Sequence, residues 1–183
     1  LYFNQVLIEG LEAPPSDASA AAATQLNLGQ TYEPALVNEA ADRLRDTLHQ
    51  EGLYTAEVTP QTVPHGETHQ MDVIFHVKPG PRARVGVVHL KNETEYPDAE
   101  LLKRLKMKEG RAITSARLLS GTDRIRKFLV KKGDLLARAM VRRDAYDAAT
   151  NTIALELEVV QGPRVKLMVT GAKFSKGELK RLV

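Results

Sequence analysis

The chain has 183 residues with 43% hydrophobic and 27% charged, no cysteine, and a formal charge of +3, which suits folded material and excludes a disulfide framework, a thiolate metal site and an intrinsically disordered chain. No apolar run approaches the roughly 18 residues that cross a bilayer as a helix, and no basic segment followed by an apolar stretch opens the sequence. The charge is polarised, with 5 basic against 11 acidic residues over 1–84 and 21 against 12 over 85–183, so the second half presents a field suited to anionic lipid heads, nucleic acid or an acidic partner.

The short β-rich run Gln5 to Gly10 predicts a first strand. Ser16-Asp-Ala-Ser and four alanines then predict a helix, whose small residues allow it to lie close to a sheet. A second helix follows, because Val37, Ala41, Leu44 and Leu48 fall on one face at steps of three and four. Pro34 stands at its start, and Gly52 stands where a left-handed residue ends a helix. Two strands are expected next, Thr55 to Thr59 and Met71 to Val77, with Pro60, Pro64 and the His65-Gly66-Glu67 segment read as turn material between them. Along the last strand Met71, Val73, Phe75 and Val77 alternate, which fits a sheet covered on one face only. The corner Gly80-Pro81-Arg82 closes the segment.

Everything then recurs. Asp42, Arg43, Leu48 and Gly52 match Asp123, Arg124, Leu129 and Gly133 at an offset of 81, whereas Gly80-Pro81-Arg82 matches Gly162-Pro163-Arg164 at 82. One residue has therefore been inserted somewhere after Gly133 and before the last strand of the second copy, and the turn-rich stretch is its expected place. The second copy predicts a strand over Arg84 to Leu90, and a helix over Pro97 to Leu105. A second helix carries Leu118, Thr122, Ile125 and Leu129 on one face behind an N-cap at Thr114. Strands over Ala137 to Val141 and Ile153 to Val159 complete the copy. Val165, Leu167 and Val169 begin a third copy, and Ser175-Lys-Gly-Glu178 reads as a capping box. The expected organisation is a first copy over 1–82, a second over 83–164 and an incomplete third over 165–183, each complete unit running β-α-α-β-β with a three-stranded mixed sheet under two helices, an α+β fold.

Few residues point to chemistry. His65 and His69 flank Glu67 in a Gly/Pro loop, whereas a zinc-binding His-Glu-x-x-His pair needs one helical face, so no metal site is assigned. His76 and His89 lie on strands without acid or cysteine neighbours in sequence. No nucleophile elbow, phosphate loop or repeated acidic pair is present, so neither a catalytic residue nor a cofactor is expected. The recurring Asp42-Arg43 and Asp123-Arg124 read as local charge pairs or contacts between neighbouring units. Lysines and arginines gather on the helices of the second copy, including Lys103, Arg104, Lys106, Arg124, Lys127, Lys131 and Lys132. Few aromatics accompany them for base stacking, so nucleic acid is disfavoured as a partner and anionic lipid heads are the better use of that charge.

Unit order, the period near 80, the helix-ending Gly52 and Gly133, and third strands running through Gly-Pro-Arg corners together resemble tandem polypeptide-transport-associated (POTRA) domains. Such domains form the periplasmic arm of outer-membrane β-barrel assembly proteins of the BamA and TamA type. The resemblance covers Gln5 to Val183. It implies a non-enzymatic periplasmic receptor for unfolded outer-membrane precursors, with accessory lipoproteins or chaperones as partners and a membrane β-barrel later in the same chain. A two-partner secretion arm and a basic nucleic-acid-binding repeat are the lower-ranked alternatives. Family members are thought to take extended chains by strand addition at a sheet edge. Pro60 departs from the pattern and blunts the first copy's edge. The second copy, with Ala137, Arg138, Ala139, Met140, Val141, Arg142 and Arg143 free of proline, is the expected strand acceptor. Gly52, Gly133, Gly80, Pro81, Gly162 and Pro163 are expected as structural turns.

Overall fold

Helix starts and strand faces follow local chemistry. In the computed structural model, which describes residues 1–163, the Ser16 hydroxyl accepts from the Ser19 amide at 3.2 Å to open α1 (Asp17–Ala23). Thr114 does the same for Arg117 at 3.2 Å to open α4 (Ser115–Lys131). Each satisfies one of the amides that a helix start leaves without a partner. Pro34 begins α2 (Pro34–Gln50), and Pro97 precedes α3 (Asp98–Leu105).

The strands are β1 (Tyr2–Glu9), β2 (Glu57–His65), β3 (Gln70–Lys78), β4 (Arg84–Glu93), β5 (Arg138–Asp147) and β6 (Thr152–Val160). They form two three-stranded sheets, ordered β1-β3-β2 and β4-β6-β5. In each sheet the first strand pairs parallel to the third and the second antiparallel to it. The mixed α+β unit expected from the sequence is thus present twice. The anticipated third copy over 165–183 lies outside the described residues, as do Val165 and the capping box at Ser175.

Alternation sets the cores. Met71, Val73, Phe75 and Val77 of β3 are buried, as are Ile153, Leu155, Leu157 and Val159 of β6. Val73, Phe75 and Val77 share one core with the buried face of α2 (Val37, Ala40, Ala41, Leu44, Leu48), and the four β6 residues share the other with the buried face of α4 (Leu118, Ile125, Phe128, Leu129). Truncating one such central leucine costs about 2–5 kcal/mol, from lost burial and the cavity left behind. Among the described residues no helix is long and apolar enough to cross a membrane.

Two features correct the expected boundaries. The second strand of each unit is longer than anticipated: β2 runs through Pro60 and Pro64, which are strand residues and not turn material. They are tolerated because β2 is an edge. Spaced by four, both lie at the same parity, where the missing N–H points away from β3. The inserted residue does not enlarge a turn either. Pairing in β5 is offset by 81 from β2 as far as Arg143 and by 82 from Tyr146 onward, with a register shift between them. The extra residue is a β-bulge inside β5, which bends the strand at that point.

Candidate functional site

The edge strands are the groups available for pairing. In both sheets the third strand is central and the other two are edges; β1 and β4 start with bridges to Thr31 and Ala112, and β2 and β5 each have one open side. Along such a side, alternate residues direct N–H and C=O groups outward. In β2 the residues Pro60 and Pro64 delete two of those donors. In β5 no proline intervenes, and the regular stretch before the bulge runs from Arg138 to Arg142.

The structure divides the seven candidate acceptor residues. Arg138, Met140 and Arg142 are exposed on the open face of the sheet, while Ala139 and Val141 are partly buried against the helix-side core. Ala137 lies one residue before β5, is buried, and donates its amide to the Asp134 carbonyl at 3.1 Å. Arg142 lies 4.0 Å from Glu158 on the neighbouring strand. The Glu158 carboxyl is held below its ordinary range chiefly by a hydrogen bond from Lys91 at 3.0 Å, with Arg142 adding a smaller attraction.

Arg143 goes elsewhere. Its guanidinium donates to the carbonyls of His49, at 3.3 Å, and of Gln50, the last residues of α2 in the other unit. A cation at a helix C-terminus meets carbonyls that have no intrahelical partner and the negative end of the helix dipole. The Ser115 hydroxyl donates to Gln50 at 2.8 Å, and the Ser115 amide donates to the Glu51 carboxylate at 3.3 Å. Tyr54 stacks on Tyr146 with centroids 4.5 Å apart, and His49 stacks on Tyr54 at 5.5 Å. Arg82 ties the corner down by donating to the Glu51 and Pro14 carbonyls.

The corner glycines fit this joint. Gly52, Gly80, Gly133 and Gly162 all have positive φ. At Gly52 a Cβ would also stand 2.7 Å from the Ile113 carbonyl oxygen of the second unit, so the close approach of the units needs glycine as much as the helix end does. Pro81 and Pro163 follow Gly80 and Gly162 in the connecting segments.

Local charge pairs are present at the recurring positions, Arg43 with Glu39 at 3.5 Å, Asp42 with Arg45 at 2.5 Å and Asp123 with Lys127 at 2.6 Å, but the two arginines are chiefly helix-closing donors within their own units. Arg43 on α2 forks onto the Thr24 carbonyl with Nε at 3.0 Å and a terminal nitrogen at 2.8 Å. Arg124 on α4 does the equivalent to Arg104 and Leu105, both at 2.9 Å. Each closes the C-terminus of the first helix of its own unit from the second helix. The identity of the two arginines at the repeat offset was the signal in the sequence; the carbonyls they reach are set by the packing of the two helices. His65 donates its Nε2–H to the Asp72 carboxylate at 2.7 Å on the hairpin, and no group of three potential metal ligands is gathered among the described residues.

Comparison with known proteins agrees with this architecture. The profile of the POTRA family, described as surface antigen variable number repeat, matches residues 1–80 and again 83–162. The outer membrane protein assembly factor BamA of Neisseria meningitidis serogroup B is 20% identical over 67% of the chain. The chain spans only 15% of that relative's length. Among solved structures, the crystal structure of Haemophilus influenzae BamA POTRA3-5 is similar at 18% identity with a TM-score of 0.52, covering 99% of this chain and 75% of that one. POTRA1-2 of the periplasmic domain of Omp85 from Anabaena gives 17% identity and a TM-score of 0.45, over 88% and 95% of the two chains.

Proposed function

The chain belongs to the POTRA family, and on that footing we propose that it is a periplasmic, non-catalytic receiving module for outer-membrane protein assembly. In this reading the units over 1–82 and 83–164 scaffold accessory lipoproteins or chaperones and serve a membrane β-barrel of the same polypeptide. The similarity to the outer membrane protein assembly factor BamA of Neisseria meningitidis and to the BamA POTRA3-5 structure supports the setting.

The second unit takes extended, unfolded β-barrel precursors by pairing them to β5. The observation that carries this is the contrast between the two edges: β5 offers an unbroken run from Arg138 to Arg142, whereas β2 lacks the donors of Pro60 and Pro64. Backbone pairing supplies affinity without regard to the guest's side chains, and exposed Arg138 and Arg142 discourage self-association while attracting acidic guests.

Photo-crosslinkers placed singly at 138, 140 and 142, and at 57, 59 and 61, test the reading with an extended precursor peptide. Capture concentrated on the second set, or equal on both, overturns the assignment to β5. Capture on neither overturns strand pairing itself.

A further inference from the structure

The helical side of the second unit carries a groove of about 1150 Å³ between α3 and α4, lined by seven Lys and Arg residues and one acid, Glu100. The internal repeat supplies a control for what the fold itself requires there. Of the seven cations only Arg124 has a basic counterpart in the first unit, Arg43, and both serve as helix-closing forks. Lys103, Lys106 and Lys131 stand where the first unit has Ala22, Gln25 and Gln50. Lys127 and Lys132 stand where it has Asp46 and Glu51. The same backbone therefore folds without this charge, and gathering it in one groove is an electrostatic cost to the second unit.

Local partners do not neutralise it. Arg104 bonds Glu100 at 2.7 Å and Lys127 bonds Asp123 at 2.6 Å, but Lys103, Lys106 and Lys131 make no ion pair among the described residues. Arg104 lies over the Phe128 ring, 3.7 Å from its centroid, and Lys132 lies 5.8 Å from the same centroid. The Nε–H of Arg104 is buried without an acceptor. The groove thus lacks what an anionic oxygen supplies, since buried donors are ordinarily paired.

We propose that this groove binds a multiply charged phosphate group, of the kind carried by anionic lipid headgroups or by free polyphosphate anions. Three unpaired ammonium groups converging from two helices suit the two negative charges and several acceptor oxygens of a phosphate better than a single carboxylate. A nucleic acid fits less well. The groove's one aromatic ring, Phe128, is buried with Arg104 over it, so it offers a base no exposed ring to stack on. This site rests on nothing in the strand-pairing reading.

The test follows amide shifts of the whole 183-residue chain by NMR on adding pyrophosphate, and co-sedimentation with phosphatidylcholine vesicles either plain or doped with cardiolipin. The triple variant Lys103→Gln, Lys106→Gln, Lys131→Gln is compared with an equal charge change outside the groove, Lys78→Gln, Lys108→Gln, Arg126→Gln. All six positions are exposed, so both variants retain the fold, as circular dichroism checks. With each surface cation contributing on the order of 1 kcal/mol, the groove variant loses on the order of a hundredfold in affinity and the control loses little. Pyrophosphate binding alone assigns a free anion, and cardiolipin-dependent sedimentation alone assigns a lipid headgroup. Equal losses in both variants, or no binding of either probe, overturn the site. An oligonucleotide that binds with higher affinity than both probes and is lost in the groove variant also overturns it.

Discussion

Tyr54 and Tyr146 stack across the joint between the two units at 4.5 Å with their rings 11° from parallel. Tyr146 reaches this position just after the register shift that follows Arg143. The equivalent residues of the first unit are Pro64 and Thr62, so the joint draws on residues that the other copy lacks.

Replacing Arg143 by Ala uncaps α2 and removes a charged donor from two carbonyls. We expect a loss of about 1–2 kcal/mol in urea unfolding, and Tyr146→Ala to remove a further 0.5–1.5 kcal/mol or so beyond its buried area. Small-angle scattering of either variant should show a broader spread of inter-unit distances. An unchanged profile for both would mean that other contacts hold the units.

Arg124→Lys tests the fork. Lysine keeps the charge but cannot present two in-plane donors to the carbonyls of Arg104 and Leu105, so we expect about 1–3 kcal/mol of destabilisation. Arg43→Lys should behave alike because its geometry at Thr24 is equivalent. A stable Arg124→Lys variant would reduce the recurrence to a charge effect.

Gly121 brings α4 close against the end of α3. An added Cβ would stand 2.8 Å from the Leu105 carbonyl oxygen and 2.9 Å from its Cδ1, so Gly121→Ala should cost about 1–3 kcal/mol despite its higher helix propensity. Thermal unfolding checks the sign. A gain would show that the helices part without penalty.

If the prolines are what blunt β2, then Pro60→Thr with Pro64→Thr restores two outward donors. Crosslinking of an extended peptide to residues 57–61 should rise severalfold, with β5 unaffected. No increase would place the difference between the edges in their side chains.

Asp72 accepts from Asn4 at 2.7 Å and lies 2.7 Å from His65. These bonds, that of His65 first, hold its carboxyl below the usual range. Its contribution to stability is therefore complete above the unfolded-state value and disappears as pH falls through the lower folded-state value. In His65→Ala the Asp72 titration followed by carbon NMR should move upward. A midpoint that stays put removes His65 as the cause.

Much of the fold was legible because alternation and three-four spacing are direct images of burial. Phe75 and Leu155 announce the covered sheet face, Leu44 and Ile125 the helix faces, and Thr114 its cap. The length of β2 was hidden because Pro60 and Pro64 signal a turn unless the strand is known to be an edge, and edge position is a fact of pairing. Arg143 was grouped with the acceptor strand because the proline-free run from Ala137 continues through it. Its side chain's contact at Gln50 lies 93 residues away in sequence, a separation that local pattern does not reveal. Lys103 and Lys131 were visible as charges, but only their convergence with Arg104 beside Phe128 turns a basic helix into a groove.

The bulge also fixes an order. Because Arg143 and Tyr146, on either side of the added residue, reach the first unit from the second, exchanging the two copies would leave Thr62 and Pro64 in their places. The duplicated modules have ceased to be interchangeable beads: the string reads in one direction, and part of its polarity is written on the two flanks of one bulge.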